Sequence, residues 1–235
     1  MNNASEPSPS PTTADGATQL SRARSVFALL GCAQAYDASP SNVRALPWSL
    51  RTYTPGARLC GPVFSVNTEN DMLPGLQALY LAPAGSVIVV NNLAPISEAL
   101  AGDVFCTDAL HAGMAGLVVN GAIRDIEELR RIGLPVYARE HTFVSARTAV
   151  KAARQVPEEV TIGDVTLSPG DWLVGDDDGL LAIAQRKLGP VLVGAQLVEE
   201  REAKLRAEIR SGKRLHDLCG LPDFLAGKAP LGFEP

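Results

Sequence analysis

Residues 85–125 read GSVIVVNNLAPISEALAGDVFCTDALHAGMAGLVVNGAIRD, and this stretch decides the fold. Ser86 to Val90 is a run rich in Val and Ile, the pattern of a strand buried on both faces. Leu117 to Val119 is a second such strand. Between them, Ser97 to Ala112 reads as a helical region, with Gly102 an interruption and Gly113 a stop. A helix from Asp125 to Arg131, ended by Gly133, leads to a third short strand, Pro135 to Ala138. Strand, helix, strand, helix, strand at this spacing predicts an α/β fold with a parallel layer.

Upstream, Ala57 to Val66 reads as a strand interrupted at Gly61-Pro62. Asp71 to Tyr80 reads as a helix, with Leu73, Leu76 and Leu79 at helical spacing. A short helix is predicted over Val26 to Leu30. Residues 1–18 are rich in Ser, Pro, Thr and Ala and are expected to be a disordered tail, since they bury too little apolar surface to offset the entropy of ordering. Downstream the tempo changes. Val160 to Ile162, Val165 to Leu167, Trp172 to Val174 and Leu180 to Ile183 are short strands broken by turn signals, so a β-hairpin portion is expected. A long C-terminal helix from Lys187 to about Ser211 carries an apolar stripe and the i,i+4 pairs Glu200–Lys204 and Glu202–Arg206. The domain is thus expected over residues 19–212. Residues 213–235 form an extension too apolar to be a free tail, expected to pack on the domain or on a neighbouring subunit.

Composition narrows the function classes. The chain has 235 residues, 46% hydrophobic and 20% charged, enough for a sizeable core. Aromatics are only 5%, so Ala, Val, Leu and Ile must build that core. A net charge of −5 with scattered basic residues gives no nucleic-acid groove, which needs a concentrated basic face. No apolar run spans a bilayer, and the N-terminus lacks the features of a signal peptide; a cytoplasmic protein is expected. Cys32, Cys60, Cys106 and Cys219 are far apart, so they read as free thiols rather than a zinc site or a disulfide framework.

The candidate chemistry lies at Arg124-Asp125, at the end of a buried strand, where ligands bind in open α/β sheets. Arg124 offers a planar fork for a carboxylate. Asp125 offers a hard oxygen for Mg²⁺ or Mn²⁺, and Asp103 a second carboxylate, on a metal-bound water or as a base acting through one. A 2-oxo acid chelating such a metal has its carbonyl polarised toward an enolate. The backbone N–H groups of Val104 and Phe105, after Gly102, are candidates for the substrate carboxylate. A plainer reading competes: Asp125 with Glu128 three residues on is an N-cap with a capping box, and on local spacing this outweighs the metal site. Arg124 beside an acid is equally a surface ion pair.

Five motifs in order tilt that balance: Gly102-Asp103, the run GLVVNGAIRD from Gly116 to Asp125, GLPVYA from Gly133 to Ala138, PGD from Pro169 to Asp171 and DDDG from Asp176 to Gly179. Together they resemble the class II 4-hydroxy-4-methyl-2-oxoglutarate aldolase family, which includes the regulator of ribonuclease activity A, over roughly Ser25 to Gly212. The resemblance implies a swivelling β/β/α fold, a homotrimer or homohexamer with sites between subunits, and a divalent metal that serves aldol cleavage or decarboxylation of a small 2-oxo acid. It implies that Asp125 binds the metal, Arg124 binds pyruvate and Asp103 contacts metal-bound water. It also implies a glutamate from a neighbour's C-terminal helix, for which Glu199, Glu200 and Glu202 are candidates. The chain departs from the pattern at Asn120, where an acid is common, and at Asn91 to Pro95, which replaces a Gly-rich stretch. Phe105 and Cys106 are expected to line a loop that touches substrate.

The three histidines have no metal spacing. His111 reads as a structural helix residue near Asp108, and His141 as a loop residue within reach of the pocket mouth. The run from Asp176 to Gly179 lacks the alternating oxygens of a calcium loop and reads as a tight hairpin turn. Neither a GxSxG elbow nor a phosphate loop occurs. Two function classes follow: a metal-dependent carbon–carbon lyase, and a non-catalytic protein-binding regulator of the ribonuclease-regulator type. A relative recruited to a different 2-oxo acid reaction is a variant of the first. The long charged C-terminal helix favours the enzyme.

Overall fold

The computed structural model describes residues 14–148 and 155–232. Its elements run α1 (Ala14–Phe27), α2 (Cys32–Ala38), β1 (Val43–Ala45), β2 (Arg51–Thr52), β3 (Leu59–Thr68), α3 (Leu73–Leu81), β4 (Val87–Asn92), β5 (Ala99–Ala101), α4 (Asp103–His111), β6 (Gly116–Ile123), α5 (Ile126–Ile132) and β7 (Val136–His141). Then follow β8 (Val160–Ile162), β9 (Val165–Leu167), β10 (Trp172–Asp176), β11 (Gly179–Ile183), α6 (Leu188–Arg210), α7 (Leu215–Leu218) and α8 (Leu221–Leu225).

One sheet runs in the order β1-β11-β10-β3-β4-β6-β7-β2, with β5 added to β6, while β8 and β9 pair separately. The centre, β3-β4-β6-β7, is parallel, as the Val- and Ile-rich runs predict. All six residues of β4 are buried. On one face, α3, α4 and α5 cover a core that includes Val90, Val119, Ile123 and Leu129. On the other, Val89, Val118 and Tyr137 pack against β8, β9 and the hairpin strands. Helices α1, α2 and α6 cover the outer face of the β10–β11 hairpin around Trp172, Leu181 and Ile183. The layers are therefore helix, parallel sheet and antiparallel sheet, with helices again outside the hairpin. Each fully buried Leu or Ile contributes about 1.5–3 kcal/mol of transfer free energy.

Several boundaries differ from the sequence reading, for physical reasons. Residues 97–101 are not helical: Ala99 to Ala101 is strand β5, paired to β6, and the Ala99 amide donates to Val144 O at 2.7 Å. Here sheet pairing overrides the helix propensity of alanine. Strand β3 runs unbroken through Gly61-Pro62, because its neighbour changes there. Residues 59–62 pair with β10 and residues 63–68 with β4. The interruption expected at proline is a change of partner. Helix α1 begins at Ala14, so residues 14–18 of the expected tail are helical; of the helix predicted over Val26 to Leu30, only Val26 and Phe27 are helical, as the end of α1, and residues 28–30 form a turn. Residues 1–13 lie outside the described residues. Asp176 faces Gly179 across a two-residue loop, the tight turn predicted.

Helix α6 buries only Leu188, Val191, Leu192 and Ala195, all in its first half. Glu202 pairs with Arg206 as expected, but Glu199 is Arg206's other partner; among the described residues no Glu200–Lys204 pair forms. Neither α7 nor α8 has a buried residue, and Leu215, Phe224, Leu225 and Leu231 are exposed. Within this chain the extension is not packed into a core.

Candidate active site

Strand β6 ends at Ile123 and β5 lies beside it, with Ala101 opposite Ile123. The Arg124 amide donates to Ala101 O at 3.0 Å. This fixes the chain just where it leaves the sheet and sets Arg124-Asp125 against Gly102-Asp103, from the start of the neighbouring helix. Asp125 then takes φ 60° and ψ 41°, a left-handed conformation that is uncommon for a side-chain-bearing residue. Its carboxylate makes no cap bond to α5, so the capping-box reading does not hold. The left-handed backbone turns the side chain instead toward Gly102. Asp125 Oδ2 forms an ion pair with Arg124 Nε at 3.2 Å and accepts from the Asp103 amide at 3.4 Å.

Gly102 makes this approach feasible. A Cβ there would lie 2.4 Å from Asp125 Oδ2 and 2.9 Å from Arg124 Cγ. Asp103 is half-buried at the first turn of α4, and its Oδ1 accepts from the Val104 amide at 2.7 Å. The Val104 amide, read from sequence as a substrate contact, therefore has an acceptor within its own turn. Phe105 and Cys106 are not in a loop: both are buried in α4. Phe105 faces the hollow described below, while Cys106 points into the core. Burial, aided by the charges of Asp103 and Asp125, pushes the Cys106 thiol up to about 12, so it is no nucleophile.

Beside these residues lies an open hollow of about 150 Å³, lined at its polar end by Asp103, Arg124 and Asp108. Its walls come from Met72 and Leu76 of the α3 region and from Leu100, Val104 and Phe105. Sequence reasoning missed the α3 wall. Leu76, at helical spacing with Leu73 and Leu79, is 39% exposed at the rim. Ser145 also lines the hollow, brought there by a bridge to Ala99 that no local pattern signals.

The other predicted residues lie elsewhere. Among the described residues no group of three or more His, Cys, Asp or Glu is arranged to hold a metal ion, so Glu199, Glu200 and Glu202 do not join Asp103 and Asp125 within one chain. Glu202 accepts from Gln34 Nε2 at 2.9 Å as well as from Arg206. His141 ends strand β7 rather than lying in a loop, with its ring against Tyr53 at 5.9 Å. His111 ends helix α4 as read, but it is exposed rather than packed. Asn120, the departure noted above, donates to Asn91 Oδ1 at 2.6 Å, and Asn91 donates to Asn67 Oδ1 at 2.7 Å. These three residues face one another across β3, β4 and β6, so a neutral amide ladder occupies the place where an acid is common. Among the described residues no helix is long and apolar enough to cross a membrane.

The donor set suits a small hard cation. Asp103 and Asp125 offer carboxylate oxygens at one rim, with no Cβ on Gly102 to fill the space between. Mg²⁺ is typically held by one or two carboxylates while keeping several waters.

Residues 33–182 match the model of the RraA-like family, described as Aldolase/RraA. A protein of Halalkalibacterium halodurans named "Putative 4-hydroxy-4-methyl-2-oxoglutarate aldolase" is 34% identical over 152 residues, 64% of this chain and 71% of the relative. Among solved structures, an uncharacterized protein from Pseudomonas syringae pv. tomato superposes with a TM-score of 0.73 at 28% identity, over 86% of this chain and 96% of that one. The RNA-processing inhibitor RraA from Thermus thermophilis superposes with a TM-score of 0.57 at 30% identity, over 63% and 88%.

Proposed function

The chain belongs to the RraA-like (Aldolase/RraA) family, and from that premise we propose that it is a divalent-metal-dependent carbon–carbon lyase acting on a small 2-oxo acid. The observation that carries this reading is the joining of Asp125 to Arg124 and Asp103, which line the hollow, with Asp125 held in a left-handed backbone conformation and making no cap bond to its own helix. Strain of this kind persists where the surroundings over-determine it, and it clusters at functional sites. A simple cap would need none of it.

Mg²⁺ or Mn²⁺ would be held by Asp125, with Asp103 acting through a water and a neighbour's Glu199, Glu200 or Glu202 adding to the set; bound there, the ion supplies Lewis-acid polarisation of the 2-oxo carbonyl. Arg124 is ion-paired with Asp125 through Nε and keeps its terminal N–H groups for the substrate carboxylate. That pairing fixes the guanidinium plane, so the acid end of the substrate is oriented before reaction. Asp103 stands beside it as the group placed to take a proton through water. The assembly in this proposal is a homotrimer or homohexamer, because one chain supplies only two of the carboxylates.

The test is pyruvate release from a panel of 4-hydroxy-2-oxo acids and from oxaloacetate, with and without EDTA, beside a light-scattering mass of the native protein. Turnover lost in EDTA and restored by Mg²⁺ or Mn²⁺ is expected. Asp125→Ala should abolish it, and Arg124→Ala should cost at least as much. Metal-independent turnover, or none with any member of the panel, overturns the reading. The likeness to the Thermus RNA-processing inhibitor supports the second reading, a protein-binding regulator. Stoichiometric capture of a ribonuclease by a protein that binds no metal would favour that one.

A further inference from the structure

The hollow has one polar end and apolar walls, and this asymmetry bears on what it accepts. Among the described residues, its charged lining is Asp103, Asp108 and Arg124. Arg124 is the one cation of that set, and it is already ion-paired with Asp125. Away from this end the walls are Met72, Leu76, Leu100, Val104 and Phe105. Leu76 and Val104 stand 39% and 76% exposed at the rim, so apolar surface faces water where the far end of a substrate would lie.

Resting on the lyase reading, we infer that the substrate is a 4-hydroxy-2-oxo monoacid with an alkyl tail, and that Met72, Leu76 and Val104 set this preference. The single carboxylate goes to Arg124. The tail lies along α3 and the first turn of α4, covering Leu76 and Val104. A second carboxylate on that tail would meet leucine, valine and methionine side chains; besides Arg124, the donor side chain among the described lining is Ser145, whose hydroxyl donates to Ala146 O at 3.3 Å. An unpaired carboxylate moved against apolar surface loses hydration without compensation, whereas each buried methylene favours binding by roughly fourfold. Met72 adds tolerance, since an unbranched thioether adapts to tails of different shape.

The chemistry balances without a redox partner. The 4-hydroxyl gives up its proton and becomes the carbonyl of the leaving aldehyde as the C3–C4 bond breaks. The bonding pair passes to the 2-oxo oxygen as the pyruvate enolate, and C3 then takes a proton. The products are pyruvate and an alkyl aldehyde.

Binding and cleavage test the inference separately. Calorimetric titration of the metal-loaded protein should show 2-oxohexanoate binding at least about tenfold tighter than 2-oxoglutarate, the discrimination expected when a charged group replaces an apolar one against an apolar wall. Cleavage should follow the same order: kcat/KM for 4-hydroxy-2-oxohexanoate, giving propanal, should exceed that for 4-hydroxy-2-oxoglutarate, giving glyoxylate. Leu76→Arg places a cation on the wall and should narrow or reverse both ratios. Val104→Arg does the same from α4 and serves where the first variant does not fold. Equal or tighter binding of 2-oxoglutarate, or unchanged ratios in a folded arginine variant, overturns the apolar-tail inference while pyruvate release keeps the lyase reading. Pyruvate release from neither substrate, nor from any other of the panel, removes the lyase reading itself.

Discussion

Asp125 holds φ 60° where most side chains avoid positive values, at a cost of roughly 1–2 kcal/mol that aspartate partly offsets by local hydrogen bonding. Replacing it with glycine relieves the backbone and removes an ion pair that is over a third exposed, which contributes little to stability. Asp125→Gly should therefore match or exceed the parent in urea midpoint while losing pyruvate release entirely. A clearly destabilised variant would mean that the conformation is set by packing rather than held for the site. Gly102 makes the companion case. Alanine there puts a methyl 2.4 Å from Asp125 Oδ2, so the carboxylate must move. A shift on the order of 1 Å in such a group lowers turnover about a hundredfold. Residue types at both positions were legible in the sequence, but the backbone angle was not. The spacing of Asp125 and Glu128 fits a capping box, and only β5 docking beside β6 turns the aspartate the other way.

At the scale of elements, β3 shows how one strand serves two sheet halves. It pairs antiparallel with β10 through Pro62 and parallel with β4 from Val63. Gly61 sits just before that change, where a Cβ would lie 2.3 Å from Gly85 O and 2.9 Å from Ala115 Cβ. A backbone carbonyl cannot move aside cheaply, so Gly61→Ala should destabilise the fold by about 1–3 kcal/mol, the usual cost of overpacking. Urea unfolding followed by circular dichroism checks this, and a neutral effect would show that β3 and the loop before β4 are not closely fitted. Buried strands β4 and β6 were legible because runs of Val and Ile have few alternatives. Strand β5 was not, because Ala-Leu-Ala suits a helix until Val144 and β6 supply its hydrogen-bond partners. The α3 wall of the hollow escaped for a similar reason: a leucine spacing marks a helix but not what stands opposite it.

Across the whole molecule, burial governs the thiols. It pushes Cys60 and Cys106 from an ordinary value of 9.0 up to about 12, and it raises Cys32 and Tyr137 as well. These groups are neutral in the folded chain where the unfolded chain would ionise. Their contribution to stability is complete below the ordinary thiol value and is lost as pH rises toward 12. Unfolding free energy should accordingly fall between about pH 8 and about pH 10.5, on either side of the free thiol's range. A thiol reagent at about pH 8 should label Cys219 quickly and leave the three buried cysteines until unfolding, since reactivity needs an accessible thiolate. Rapid labelling of Cys60 or Cys106 in the native protein would contradict the burial.

By itself the sequence determined the α/β class, the parallel centre, the hairpin portion, the long last helix and the residue types Gly102-Asp103 and Arg124-Asp125. These follow from local pattern, which is set by side-chain volume, turn chemistry and the period of each element. Tertiary structure alone decided that Asp125 faces Gly102 instead of capping α5, that Cys106 is buried and inert, and that α3 supplies an apolar wall beside Arg124. Each of these depends on contacts between segments distant in the chain, where sheet pairing and close packing override the preference of any single stretch.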